Sequence, residues 1–146
     1  MISGEFRDFI KLLNEHRVKY LVVGGYAVAF HGYPRYTKDF DVWIQPSPEN
    51  ANNLLAALDR FGFGSLGLKT EDFLEENQII QLGFPPNRID ILTSLKNLAF
   101  NDCYEARNSA CIQGLQINFI DIENLKKNKR NTGRTQDLAD AENLDR

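Results

Sequence analysis

Apolar and polar positions change period several times along the chain. Phe6, Phe9, Ile10 and Leu13 recur at helical spacing and predict a helix over about 4–16. Tyr20-Leu21-Val22-Val23 is an unbroken apolar run stopped by Gly24-Gly25, the pattern of a buried strand. Residues 26–31 have a short helical pattern, which Gly32 and Pro34 break. From Lys38 to Gln45 the chain alternates, with Phe40, Val42 and Ile44 on one side and Asp39, Asp41 and Trp43 on the other, which is strand periodicity. Ser47-Pro48 starts the next helix with a capping hydroxyl and a proline at the first position. Its stripe is Ala51, Leu54, Leu55, Leu58 and Phe61, and Gly62 ends it.

The second half brings hairpins. Thr70-Glu71-Asp72 opens a short helix; Gln78 to Phe84 and Arg88 to Thr93 are strand-like runs around Pro85-Pro86-Asn87. A loose helical stretch lies near 97–106. Cys111-Ile112 and Leu115 to Ile120 flank Gln113-Gly114 as a second hairpin. Asp121 to Arg130 and Thr135 to Leu144 read as two closing helices around Gly133. Helices interleave with strands while the hairpins force antiparallel pairs. The expected class is therefore α/β or α+β, a mixed sheet with flanking helices, in one domain over 1–146 with no internal repeat or linker.

The 146 residues, 42% hydrophobic with ten Phe, suffice for a core without covalent staples. The composition excludes disordered, collagen-like and low-complexity classes. No apolar run approaches the roughly 20 residues of a membrane helix, and the first eight residues lack a signal peptide's basic-then-apolar order. A cytoplasmic protein without a membrane partner is expected. Cys103 and Cys111 do not make a disulfide framework and are expected to be reduced. With His16 and His31 distant from each other, a Cys/His zinc site is not expected either. The net charge is −3, but Lys126, Lys127, Lys129, Arg130 and Arg134 give residues 126–134 a charge of +5 and leave the remainder at −8. This stretch is either a solvated helix face or a local phosphate contact.

Three carboxylates carry the candidate chemistry. Asp39 and Asp41 project from one strand face about 7 Å apart. Asp90 sits between Ile89 and Ile91 in an apolar run, where a charge needs a partner or a metal. If the two strands are neighbours the three acids converge, and hard oxygen ligands of this kind suit Mg²⁺ (or Mn²⁺) with substrate phosphates. Two metals so held would activate an attacking oxygen and steady a leaving pyrophosphate. Gly24-Gly25, between strand and helix, is either a plain tight turn or a place where backbone N–H groups approach a phosphate. Trp43 is either a strand-end residue or a base-stacking platform, His31 is read as structural, and Asp137 either opens the last helix or pairs with Arg134.

Together, Val23-Gly24-Gly25, Asp39-Phe40-Asp41-Val42 and Ile89-Asp90-Ile91 resemble the nucleotidyltransferase superfamily of the DNA polymerase beta type. The run from His31 to Asp41 and the tail from Asn128 to Asp140 resemble small prokaryotic members, including relatives of toxin components in abortive-infection toxin–antitoxin pairs. The resemblance spans about residues 5–145. Gly25 departs from it, since many members carry Ser there; a hydroxyl is lost and the backbone contact is kept. The resemblance implies Mg²⁺-dependent transfer of a nucleoside monophosphate from a nucleoside triphosphate to an acceptor (RNA or tRNA, a small molecule or a protein), releasing pyrophosphate. Asp39, Asp41 and Asp90 are then the metal ligands, with Asp90 also helping to deprotonate the acceptor. Gly24, Gly25, Arg35, Thr37, Lys129 and Arg134 make up the nucleotide site. Arg35 reaches a phosphate or fixes its loop, Thr37 orients the first acid, and Lys129 and Arg134 balance triphosphate charge. Gly133 breaks the two closing helices, so Arg134, with Lys129 as the weaker candidate, is expected to fold back on the acids, while Lys126 faces outward. Two alternatives stay open: a non-catalytic relative that binds nucleotide or a partner protein, and a toxin-type enzyme restrained by a cognate antitoxin.

Overall fold

The apolar run at 20–23 forms β1 (Tyr20–Val23), with all four side chains buried. A strand without a polar side needs cover on both faces, and β1 lies inside a sheet. The computed structural model describes residues 2–33 and 39–145, apart from the side chains of Thr135 and Gln136. Its other strands are β2 (Asp39–Ile44), β3 (Ile79–Leu82), β4 (Arg88–Leu92), β5 (Asn108–Ile112) and β6 (Leu115–Phe119), and the sheet order is β3-β4-β2-β1-β6-β5. β1 pairs antiparallel with β2 and parallel with β6, and β2 pairs parallel with β4. The hairpins β3–β4 and β5–β6 add antiparallel edges. The sheet is mixed, as the alternation of helices and hairpins requires. β5 begins at Asn108, three residues before the predicted run. Its first residues, Asn108 and Ser109, are exposed at the sheet edge and carry no apolar signal.

Helices cover both faces. α1 (Gly4–Glu15) starts where the Ser3 hydroxyl accepts the Phe6 N–H at 3.2 Å, and it buries Phe6, Phe9, Ile10 and Leu13. Phe6 stacks on Phe40 of β2 with ring centroids 4.7 Å apart, and Tyr26 of α2 (Gly24–Phe30) meets Phe40 edge-on. α3 (Pro48–Leu58), capped by Ser47, packs against α1. Beyond α3 the chain runs through a wide helical turn over Asp59–Phe63, inside which Gly62 adopts φ +102°. The α-helix therefore ends four residues before the glycine expected to stop it. On the opposite sheet face Trp43 meets Phe100 of α4 (Phe100–Glu105) edge-on at 5.1 Å. Trp43 is 1% exposed, so of its two readings the buried strand residue is realised and no face is left for a base. The closing helices are α5 (Ile122–Thr132) and α6 (Thr135–Leu144), with Gly133 at φ +69° between them. His31 Nε2 donates to the Ile120 carbonyl at 2.8 Å and ties the end of α2 to the end of β6, a structural role. Among the described residues no helix is long and apolar enough to cross a membrane.

The register of the central strands is fastened by Asn50. Its amide oxygen accepts the Lys19 N–H at 2.7 Å, and its nitrogen donates to the carbonyls of Lys19 and Gln45, each at 3.0 Å. One buried side chain thus joins the entry of β1, the exit of β2 and the first turn of α3. Asn50→Ala leaves those part-buried backbone groups without their partner, and the expected loss of stability is about 1–3 kcal/mol. Urea unfolding checks this: the midpoint falls while the slope stays that of the parent. An unchanged midpoint contradicts it.

Candidate active site

The parallel pairing of β2 with β4 puts Asp41 directly across from Asp90, and Asp39 across from Arg88. Neighbouring strands lie about 4.8 Å apart, so Asp41 and Asp90 are close by register alone. Asp39, Asp41, Arg88 and Asp90 all project from the same sheet face, because each pair is spaced by two along its strand. On the other flank Asp41 is paired with Val23, and the chain turns there into α2. Gly24 takes φ +69°, and a Cβ built on it would lie 2.2 Å from Asp41 Oδ2. The carboxylate packs against the glycine backbone, so both the backbone angle and the space exclude a side chain at 24. Gly25 is buried in the first turn of α2.

Arg88 binds two of the acids at once. Its Nε and Nη2 donate to the two oxygens of Asp90 at 3.0 and 3.1 Å, and Nη2 also reaches Asp39 Oδ2 at 2.8 Å. This is the side-on fork that guanidinium forms with carboxylate. Burial pushes the Asp90 carboxyl up, and the Arg88 hydrogen bonds pull against it. Among the described residues no guanidinium bonds Asp41. Burial first, then the charges of Asp90 and Asp39, raise it to about 6, with Lys129 and Arg88 opposing. Arg88 was not singled out from the sequence, although its spacing of two from Asp90 on a strand was a readable signal.

The basic stretch is arranged differently from expectation. Lys129 is buried on α5, with Nζ 3.0 Å from Asp137 and 3.6 Å from Asp140 of α6, and its charge acts on Asp41. Arg134 has a side chain 76% exposed, and its Nε donates to Asp137 Oδ2 at 2.8 Å. Within the basic stretch, the cation whose charge acts on Asp41 is thus Lys129, the weaker candidate, while Arg134 is exposed and paired with Asp137. The reason is Asp137. It accepts from Thr132, Lys129 and Arg134, and these bonds outweigh its burial and hold its carboxyl below the usual range. It therefore both opens α6 and pairs with Arg134. Lys126 is not a free outward charge either, since it lies 3.0 Å from Asp145 and 3.3 Å from Glu123. Arg35 and Thr37 lie outside the described residues.

Three carboxylates on one sheet face offer the hard oxygen donors that Mg²⁺ and Mn²⁺ take. Asp41, raised first by burial and then by the charges of Asp90 and Asp39, is a carboxyl whose charged form a divalent cation would favour. As the side chains stand, no three among the described residues are arranged around a common metal position, and Arg88 occupies both oxygens of Asp90 and Oδ2 of Asp39. The donor chemistry fits such a cation; in the present side-chain positions Asp39 and Asp90 are paired with an arginine.

No family model and no curated protein matches the sequence. Solved structures do. A Thermotoga maritima protein assigned as a nucleotidyltransferase superposes with TM-score 0.65 at 16% identity, over 93% of this chain and 89% of that one. An antigenic nucleotidyltransferase-like protein from Paracoccidioides brasiliensis superposes with TM-score 0.58 at 14% identity, over 98% of this chain and 77% of that one. The chain has the nucleotidyltransferase fold. At these identities the likeness concerns the backbone.

Within this nucleotidyltransferase fold the acid cluster should leave a signature in stability. The folded protein keeps the Asp41 proton up to about pH 6, while the unfolded chain releases it near 4. The native state then binds more protons across that window, so stability falls as pH rises from about 4 to 6 and stays reduced above it. Asp41→Asn removes this penalty. In metal-free buffer the variant should be more stable than the parent by about 2 kcal/mol at pH 7.5, with the gap closing toward pH 4. Urea titrations at both pH values check it; an equal gap at both contradicts it.

Proposed function

We propose that the protein transfers a nucleoside monophosphate from a nucleoside triphosphate to an acceptor hydroxyl, with Mg²⁺ or Mn²⁺ as cofactor. The observation that carries the reading is the convergence of Asp39, Asp41 and Asp90 on one sheet face, with Asp41 seated against Gly24. Asp39, Asp41 and Asp90 would hold the metal, which supplies charge neutralisation at the phosphates and a more acidic attacking hydroxyl. The acceptor oxygen forms its bond to the α-phosphorus as the bond to the bridging oxygen breaks, and pyrophosphate leaves. The acceptor's proton passes to a carboxylate of the cluster, Asp90 being the candidate of the sequence reading. The Gly24-Gly25 turn would bring backbone N–H groups near the phosphates. Lys129, held rigid by Asp137 and Asp140, supplies fixed positive charge toward Asp41.

The test is incubation with each labelled nucleoside triphosphate and Mg²⁺ against total RNA, aminoglycosides and the protein itself, read by gel and intact mass. One acceptor should gain a nucleoside monophosphate, and Asp41→Asn should lower the rate by at least about 100-fold, as loss of a charged group acting on the transferring phosphate does. Nucleotide bound without transfer to any acceptor would instead favour a binding protein of this fold.

A further inference from the structure

Arg88 takes no part in the transfer described above, yet its guanidinium contacts two of the three acids. All of its side-chain hydrogen bonds among the described residues go to Asp39 and Asp90. The oxygens it uses are those that a divalent cation would need. Asp90, gripped by two guanidinium nitrogens, has one lone pair on each oxygen engaged, Asp39 has one on Oδ2, and both have a positive charge about 3 Å away, so both are weakened as ligands for a second cation.

We propose that Arg88 is the internal counter-ion of the metal-free site and competes with the divalent cation for Asp39 and Asp90. This inference rests on reading the acid cluster as a metal site. Two properties distinguish Arg88 from the other cation at the cluster. Lys129 is buried between Asp137 and Asp140 and has partners besides the site, so it stays in place when the site changes charge. Arg88 sits at the first residue of β4 with its side chain 28% exposed, and a long, flexible stem can carry its head into water. Among the described residues the site thus has one fixed and one displaceable cation. The fixed one lowers the charge permanently. The displaceable one keeps the acids from repelling one another until metal arrives, and once released it is a free guanidinium beside the place where phosphates would lie.

The test is Mn²⁺ binding to the nucleotide-free protein, titrated by the electron paramagnetic resonance signal of free Mn²⁺. Arg88→Gln removes the competing charge, and Mn²⁺ should bind at least tenfold more tightly than to the parent. Arg88→Lys keeps a charge but loses the fork, and should fall between the two; it also serves if the glutamine variant folds poorly. Lys11→Gln, on the exposed side of α1, makes the same change in net charge elsewhere and should leave binding unaltered. A merely structural arginine could not give tighter metal binding when removed. Equal or weaker Mn²⁺ binding in both Arg88 variants overturns the inference. So does a gain that survives Asp41→Asn in the Arg88→Gln background, since the ion then binds elsewhere. An active parent without the gain sinks the Arg88 inference alone, whereas the gain without nucleotidyl transfer to any acceptor sinks the enzymatic reading alone.

Discussion

The register of β2 against β4 is the constraint on which the rest of the site depends. In direct parallel pairing, Asp41 and Asp90 stand across from each other, with Asp39 one pleat away. Slipping one strand by a single residue would send its acids to the opposite sheet face, into the layer of Phe6, Tyr26 and Phe40. The register therefore has to be right: the apolar rows of β2 and β4 hold it, while Asn50 fastens β2 to β1 on the other side. Burial first, and then the charges of Asp90 and Asp39, raise Asp41 to about 6.

A scaffold that enforces this crowding must also relieve it. Three features of the chain do so, each from a different element. Arg88 lies in the same strand as Asp90 and forks onto it. Lys129 comes from α5, and it is kept there by two buried acids of α6 rather than by the site itself. Gly24 gives Asp41 room by having no side chain. The arrangement costs stability at neutral pH, as expected where a fold keeps charges together for a purpose other than its own stability. A buried ion trio such as Lys129 with Asp137 and Asp140 contributes little net stability, but removing one partner is costly. Its effect here is to fix where α6 packs and where the lysine points.

The sheet's centre was legible because its residues obey local rules. Alternation in 39–44 set Asp39 and Asp41 on one face, and an acid between two isoleucines marked Asp90. Which strands are neighbours is not a local property. The convergence of the acids followed from the sequence only under the condition that β2 and β4 pair, as they do. The basic tail was less legible. Gly133 correctly signalled the break between α5 and α6, but the break alone does not say which cation turns inward. That choice rests on Asp137 and Asp140, whose partners appear only when α6 folds back on α5. Arg88 was overlooked because an arginine opening a strand is ordinary in sequence; its meaning comes from Asp90 two residues on together with Asp39 across on the neighbouring strand. β5 began earlier than its apolar run because an exposed edge strand needs no hydrophobic alternation.

In the proposed arrangement Asp39, Asp41 and Asp90 form one divalent-cation site, held closed by Arg88 until the ion arrives. The most direct measurement is anomalous diffraction from crystals of the protein equilibrated with Mn²⁺. The account predicts an anomalous peak within about 2.0–2.4 Å of oxygens from Asp41 and at least one of Asp39 and Asp90, with the Arg88 guanidinium withdrawn from its fork. A crystal in which Mn²⁺ is absent from the cluster at saturating concentration, or bound elsewhere while Arg88 still grips Asp39 and Asp90, would contradict it.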